Sequence, residues 1–294
     1  MDKKGVISTV LSGIIFGIVP LFVSLVYALG FNAINVAFYR YLVAVPMLYI
    51  ATKIKKYSIH IDKKDLVHLF VIATFGNSCT SILLNLSYTY VSIGTATTLH
   101  FMYPLFVCVL CYFVYKEKLK RSNIESLVIA LIGVFMFVDT NASADILGII
   151  IAIASGFSYA FYMVYLERSG LLYKYDLLVI SFWLTLIASV ILFIICLFTN
   201  NLTIIANFVV SLYLIGTALF GQIIAVLLLQ VGIKRIGSTN ASLFSLFEPL
   251  TSTVVGVIFL HDSLSIFKII GSILIIISVY KLVFSQRKEK LNGN

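Results

Sequence analysis

The chain has 294 residues, of which 61% are hydrophobic and only 11% are charged. Because a soluble domain carries about 25% charged residues, this composition excludes an ordinary soluble globular protein. The formal net charge of +9 comes from basic residues scattered between apolar runs, so it does not indicate a nucleic-acid partner.

Long apolar runs follow one another along the chain and predict an all-α membrane protein. Most of them approach or exceed the ~20 residues that a helix needs to cross the hydrocarbon core of a bilayer. The gaps between them are too short to hold a soluble domain. The sequence therefore predicts ten transmembrane helices, near 6–29, 33–52, 66–88, 94–115, 123–139, 146–166, 177–199, 207–231, 238–260 and 266–285, and a cytoplasmic tail at 286–294.

Basic residues mark alternate gaps between these runs. Of the 21 Lys and Arg residues, 19 lie at the N-terminus, in the even-numbered gaps or in the tail. The exceptions are Lys268, assigned to the ninth gap, and Arg40, inside the second run. Since Lys and Arg accumulate in cytoplasmic loops, the pattern predicts a multi-pass protein of the cytoplasmic membrane with both termini in the cytoplasm.

The chain repeats itself at a nearly constant offset. A shift of 145 residues places Ala96 on Ala241, Pro104 on Pro249 and Leu105 on Leu250, and a shift of 143 places Gly13 on Gly156. This predicts two halves, 1–140 and 146–285, with five runs each. Because five is odd, the second half must be inverted relative to the first. Inverted repeats are typical of secondary transporters, whose substrate binds near the midplane between the repeats.

Four local strings lie within or beside these runs. They are Phe38-Tyr39-Arg40-Tyr41-Leu42, Ser92-Ile93-Gly94-Thr95-Ala96 leading to Tyr103-Pro104, Ile236-Gly237-Ser238-Thr239-Asn240-Ala241, and Glu248-Pro249-Leu250. With the short loops and the repeat, they make the chain resemble the EamA branch of the drug/metabolite transporter superfamily over nearly its full length. The resemblance implies a basket of helices around a central cavity. It also implies transport of small metabolites, amino acids or drugs.

Two charged residues stand inside predicted spans, where charge is costly and is a functional candidate by default. Glu248 is interpreted as a carboxylate that binds a proton, a cation or an amine. Its alternative is a neutral or paired residue that locks the helix beside Pro249. Arg40 is either an anchor for an anionic substrate or a structural cation that bonds carbonyls or snorkels toward the outer interface, and the structural role is favoured.

Weaker candidates recur on the spans that the resemblance puts around the cavity. His100 is either a proton relay or substrate contact, or a neutral histidine bonded between helices. Polar side chains in spans more often bond neighbouring helices than a ligand, yet several on the same spans favour a cavity. Pro104 and Pro249 are predicted to kink their helices. The remaining candidate substrate or proton ligands are Asn77, Asn85, Tyr103, Tyr159, Tyr162, Gln222 and Ser245.

The sequence contains no catalytic motif, no P-loop and no metal-spaced cluster of histidines and cysteines, so no enzyme activity, cofactor or metal is predicted. The predicted function is secondary active export of small metabolites, amino acids or drug-like compounds by alternating access. Proton exchange through Glu248 is the favoured driving scheme, and uniport along a gradient is its alternative. An uptake permease on the same scaffold is one alternative, and a membrane-embedded lipid-headgroup enzyme or flippase is another. The expected partners are a small-molecule substrate and membrane lipid, for a monomer or homodimer.

Overall fold

A computed structural model of the chain describes residues 2–137, 145–203, 205, 207–260 and 264–292, and every regular element within these ranges is helical. The all-α prediction is confirmed. We label the helices α1 (Lys3–Ala28), α2 (Ala33–Ile54), α3 (Lys63–Ser87), α4 (Ile93–Val114), α5 (Arg121–Phe135), α6 (Ile146–Arg168), α7 (Leu177–Phe198), α8 (208–236), α9 (238–259) and α10 (Ile266–Asn292).

Eight helical stretches of the described chain are long and apolar enough to cross a membrane, when 208–244 is counted as one. α5 has 15 residues and the second part of α9, Phe247–Phe259, has 13. Helices suit this composition because each one satisfies its backbone polar groups internally, away from water. Several begin at a side-chain oxygen that accepts from a first-turn N–H; these caps are Asp2, Asn32, Ser92, Asp145, Asp176 and Asn207.

α4 and α9 are each interrupted at the same position of the repeat. The first part of α4 ends at His100 and the second begins at Tyr103. Phe101 in this break has φ −66° and ψ 2°, and Leu246, 145 residues later in the break of α9, has the same angles. Pro104 and Pro249 lie in the first turn after each break, where a helix needs no N–H donor. Kinks were predicted at these prolines, and the structure has breaks immediately before them.

A single residue separates α8 from α9, although the sequence predicted a gap from 231 to 238. Gly237 has φ 77° and ψ 160°, a backbone region that residues with a Cβ rarely adopt. The next helix begins at once because the Glu167 carboxylate accepts a hydrogen bond from the backbone N–H of Ser238, at 2.9 Å. An acid at a helix start also interacts favourably with the helix dipole.

Helices of one half pack against the breaks of the other half. α1 packs mainly on α8 and α9, and α6 packs mainly on α3 and α4. A Cβ on Gly13 would lie 2.9 Å from the Ser245 carbonyl oxygen, and a Cβ on Gly156 would lie 2.7 Å from the His100 carbonyl oxygen. Both glycines and both carbonyls are equivalent in the repeat, so the two contacts are counterparts of each other.

α5 and α10 contact each other at two places that the sequence repeat makes equivalent. A Cβ on Gly133 would lie 2.8 Å from the Gly271 carbonyl oxygen, so the two backbones touch. The Ser278 hydroxyl donates to the Ser126 carbonyl oxygen at 2.7 Å. A shift of 145 residues places Gly133 on Ser278 and Ser126 on Gly271. The contact between Gly133 and Gly271 and the hydrogen bond between Ser278 and Ser126 are therefore counterparts in the repeat.

The loops that carry the basic residues are joined at one end of the molecule. Asp2 pairs with Arg235, Asp62 with Lys174, and Glu117 with Arg168, while the Tyr173 hydroxyl bonds the Lys234 carbonyl. These contacts link the N-terminus with the second gap (53–65), the fourth (116–122), the sixth (167–176) and the eighth (232–237). Asn32 in the first gap donates instead to Asn201 in the seventh, at 2.9 Å. The even gaps are thus joined to one another, and the first gap is joined to the seventh, in agreement with the alternation of charge.

Candidate functional site

Glu248 lies beside the break in α9, in the first turn of Phe247–Phe259. The side chain is half-buried, and no salt bridge within 4.0 Å reaches it among the described residues. Its backbone lies against α1: a Cβ on Gly13 would lie 3.2 Å from the Glu248 nitrogen, and a Cβ on Gly17 would lie 2.7 Å from the Glu248 carbonyl oxygen. Glu248 therefore stands where the break in α9 meets α1.

Four predicted site residues form an aromatic cluster beside the break in α4. The ring centroid of His100 lies 5.8 Å from that of Tyr103 and 5.4 Å from that of Tyr159. Tyr103 and Tyr159 meet edge to face at 4.9 Å, and Tyr159 and Tyr162 stack at 5.9 Å. Aromatic faces arranged in this way can hold an apolar group or a cation.

The polar atoms of this cluster are only partly satisfied. His100 Nδ1 and Ser155 Oγ lie 2.9 Å apart, so His100 is bonded to α6. The Tyr162 hydroxyl accepts from Gln230 at 3.3 Å. The Tyr103 hydroxyl is buried and has no hydrogen-bond partner among the described residues. A buried donor without a partner costs about 1–3 kcal/mol, so this hydroxyl is available to a bound molecule.

Arg40, for which a structural role is favoured, contacts side chains of α2 and α3. Its guanidinium stands 5.4 Å from the centre of the Tyr41 ring and donates one long bond of 3.4 Å to Ser81. Its Nε atom is buried and has no hydrogen-bond partner among the described residues. The guanidinium therefore lies between α2 and α3.

The other predicted residues divide into two groups. Asn85 lies near Arg40, since its amide donates to the carbonyl of Ser81, whose hydroxyl Arg40 contacts, and its oxygen accepts from Tyr27 at 3.1 Å. Ser245 bonds within its own helix. Gln222 donates to Thr185 of α7 at 3.2 Å, and Asn77 is half-buried in α3; no contact of the described residues joins these last two to Glu248.

Two residues of the site were missed by the sequence reasoning. Gln230 is fully buried and links the Tyr162 hydroxyl to Ser181. Tyr27 bonds Asn85 across the α1–α3 interface. A buried amide in an apolar run was a usable signal for Gln230. Tyr27 gave none, because the chain has 17 tyrosines and many of them lie near span ends.

A pocket of about 160 Å³ lies at the end of the molecule that carries the basic loops. Glu117, Asn123, Glu167 and residues 237–240 line it. This pocket is formed where the short joint between α8 and α9 meets the end of α6. It is separate from Glu248, and its acids already have partners, since Glu117 pairs with Arg168 and Glu167 caps Ser238.

A solved crystal structure shares this fold. It superposes with a TM-score of 0.82 over 98% of this chain and 99% of its own, at 14% sequence identity. At that identity the likeness shows the fold alone.

Several relatives carry the names of transporters. An uncharacterized transporter of Archaeoglobus fulgidus is 26% identical over 75% of this chain and 78% of its own length. An uncharacterized transporter of Clostridium kluyveri is 27% identical over 80% and 77%, respectively. The uncharacterized inner membrane transporter YicL of Salmonella typhimurium is 25% identical over 80% and 79%.

The EamA-like transporter family matches the chain twice, at residues 3–139 and 146–284. Two matches of about equal length agree with the internal repeat in the sequence. The apolar helices make the chain a multi-pass membrane protein, and together with these matches they show that it belongs to the EamA-like transporter family.

Proposed function

We propose that this protein is a secondary active transporter that exports a small metabolite, amino acid or drug-like compound across the cytoplasmic membrane. The observation that carries the proposal is Glu248, an acid in the first turn after the break in α9 that joins no salt bridge of the described residues. Intramembrane acids and broken helices are features of substrate and proton pathways.

Alternating access would come from two inverted repeats, residues 1–140 and 146–285, with ten spans in total. The reciprocal contacts of Gly13 and Gly156 with the opposite breaks support this arrangement. The matching backbone angles of Phe101 and Leu246 support it as well. Each half would hold the broken helix of the other, so that a rigid motion between the halves closes one side of the site as it opens the other.

Glu248 is proposed as the proton site. Acids inside membrane spans mark proton relays in pumps and transporters. Glu248 lies in the first turn after a helix break, where a carboxylate could gain and lose a proton during a cycle. His100, bonded to Ser155, is the next candidate.

The test is pH-driven transport in proteoliposomes. Glu248→Gln mimics the protonated acid permanently, so the variant should fold and exchange saturating substrate but lose accumulation driven by a pH gradient. Glu248→Asp should retain part of the coupling, because the acid is withdrawn by only one methylene. Glu125→Gln is the matched control: Glu125 pairs with Arg121 and Lys281 near the ends of α5 and α10, and its amide variant should accumulate substrate normally. Full pH-driven accumulation by Glu248→Gln would refute the assignment.

A further inference from the structure

Three ion-paired links join the halves of the chain at the end of the molecule that carries the basic loops. In each of them the first half, 1–140, supplies the acid and the second half, 146–285, supplies the base. The links are Asp2 with Arg235 at 2.7 Å, Asp62 and Asp65 with Lys174 at 2.6 and 2.5 Å, and Glu117 with Arg168. Opposite charges therefore face each other across the boundary between the halves at three places.

At the opposite end, the described contacts between the halves join neutral groups. Asn32 donates to Asn201 at 2.9 Å. Asn35 exchanges two hydrogen bonds with Thr203, both of 3.1 Å. The Tyr39 hydroxyl donates to the Thr203 carbonyl oxygen at 2.8 Å. The two ends thus hold the halves together by different kinds of interaction.

Dissolved salt acts differently on these two kinds of interaction. Exposed ion pairs are weak one by one, and ions in solution screen them further. The screening length falls from about 10 Å at 0.1 M salt to about 3 Å at 1 M. Neutral hydrogen bonds carry no net charge to screen, and they include one at the basic end, from the Trp183 indole N–H to the Ile59 carbonyl oxygen at 2.9 Å. A perturbation shifts an equilibrium between two states only if it acts on them unequally, and salt meets this condition here.

We propose that the three links form an ionic latch, which holds the halves together at the basic end and opens when a substrate passes there, so that ionic strength sets how often this end opens. This inference rests on the proposed transport function, because alternating access is what requires the end to open. Partly exposed pairs suit a contact that breaks in every cycle, since each one separates into water without leaving a buried charge behind.

Cys111 in α4 reports on the opening. It is fully buried, and its sulfur lies 3.7 Å from the Ser238 hydroxyl and 3.6 Å from that of Thr239. α4 belongs to the first half and α9 to the second, so separation of the halves at this end exposes the thiol. The measurement is the rate at which a maleimide modifies Cys111 in the purified full-length protein in detergent, with the other three cysteines replaced.

A salt titration of the unaltered latch is the first test. Between about 0.1 M and about 1 M NaCl, the Cys111 rate should rise at least about threefold, because the links weaken. A protein whose single cysteine comes from Ser58→Cys, at an exposed position, corrects for the effect of salt on the reagent. A Cys111 rate that does not change relative to this reference would overturn the latch.

Charge reversal then shows whether the links act through their charges. Lys174→Glu places an acid against Asp62 and Asp65, and it should raise the Cys111 rate at least about fivefold. Asp62→Lys alone should raise the rate too, since it sets two bases against each other. In the Lys174→Glu background, the same Asp62→Lys change should lower the rate, because opposite charges face each other again. An effect of the same sign in both backgrounds would overturn an electrostatic latch.

Lys281→Glu is the matched control, since Lys281 pairs with Glu125 at 2.8 Å between α5 and α10. The backbones of these two helices also touch at Gly133 and Gly271, so the reversal should leave the Cys111 rate unchanged. A rise as large as that of Lys174→Glu would show that the three links have no special part in holding this end closed. If Lys174→Glu does not fold, the salt titration decides alone.

Latch and transport can fail separately in this design, because the labelling needs neither a gradient nor a substrate. Salt-dependent labelling by a protein that moves no compound in proteoliposomes would refute the transport proposal and leave the latch between the halves standing. Accumulation driven by a pH gradient, in a protein whose labelling does not respond to salt, would refute the latch and leave the transport proposal standing.

Discussion

Two glycines determine how closely the halves of this transporter approach. Gly13 in α1 and Gly156 in α6 each face a carbonyl oxygen at a break of the opposite half, namely Ser245 and His100. Helices in lipid associate through such small residues because no hydrophobic driving force acts between them. At these positions the missing side chain allows a neighbouring helix to end and restart against the backbone.

We expect Gly13→Ala and Gly156→Ala each to lower the thermal unfolding temperature of the purified protein. The added methyl group would lie under 3.0 Å from backbone oxygen, and such overpacking costs about 1–3 kcal/mol. Gly94 supplies the control, since a Cβ there would meet nothing within 4 Å and the residue is helical. Gly94→Ala should be neutral or slightly stabilising. Equal behaviour of all three variants would show that the glycines are not contact points.

At the residue scale, the sequence identified the charges better than their surroundings. Glu248 and Arg40 could be found because a charge in an apolar run is rare and costly. Their mutual orientation could not be predicted, because it depends on where α2 and α9 stand around the interior. Gln222 was expected to face the cavity, and the structure bonds it to Thr185 of another helix, since a polar stripe does not by itself distinguish a ligand from a neighbouring helix.

At the element scale, the joint between α8 and α9 closes one end of the molecule. Gly237 provides the turn, and Glu167 of α6 caps Ser238 at the start of α9. Behind this joint lies Cys111, fully buried, with its sulfur 3.7 Å from the Ser238 hydroxyl and 3.6 Å from that of Thr239. Under the proposed alternating access, this end must open at one stage of the cycle, and opening would expose Cys111.

Glu167→Gln should therefore increase the rate at which a thiol reagent modifies Cys111, in a background that lacks the other three cysteines. A charged acceptor bonds more strongly than a neutral one, and a loss of about 1 kcal/mol corresponds to a roughly fivefold faster reaction. The rate is followed by maleimide labelling of inside-out vesicles. Glu125→Gln removes another acid near the same end and should leave the rate unchanged. Equal labelling of the two variants would mean that Glu167 does not hold the joint closed.

Helix bounds could be predicted from hydropathy, whereas the breaks could not. α7 was expected at 177–199 and occupies Leu177–Phe198, because apolar runs end where polar loop residues begin. The interruptions at Phe101 and Leu246 are different, since no polar loop segment marks them in the sequence. Pro104 and Pro249 were the only sequence signals there. Proline restricts the backbone but does not specify whether the helix bends or stops.

At the scale of the whole molecule, the alternation of charge and the contacts between loops lead to the same arrangement. The basic loops are joined through pairs such as Asp2 with Arg235 and Asp62 with Lys174. The first and seventh gaps are joined through Asn32 and Asn201. The sequence could predict this two-sided arrangement because insertion into a membrane depends on Lys and Arg near the spans. The contacts between loops fit either orientation in the membrane. Only the accumulation of Lys and Arg in cytoplasmic loops predicts which end faces the cytoplasm.

Cysteine labelling of intact cells tests the orientation directly. In a background without the native cysteines, Asn32→Cys, Asn141→Cys and Asn201→Cys should react with a membrane-impermeant thiol reagent from outside. Ser58→Cys and Ser169→Cys, in the second and sixth gaps, should react only after the cells are permeabilised. Asn32 and Asn201 share one hydrogen bond, so they must label on the same side if the described fold is correct. Asn141 lies outside the described residues, and its labelling tests the predicted fifth gap independently.

The pattern of labelling distinguishes two kinds of failure. If Asn32→Cys and Asn201→Cys are protected while Ser58→Cys and Ser169→Cys react, the protein is inserted the other way round. The basic loops would then face outward, against the charge rule. If Ser58→Cys and Ser169→Cys differ from each other, the number of spans between them is not even. A five-plus-five repeat requires four crossings between the second gap and the sixth, so that result would overturn the inverted repeat itself and with it the proposed basis for alternating access.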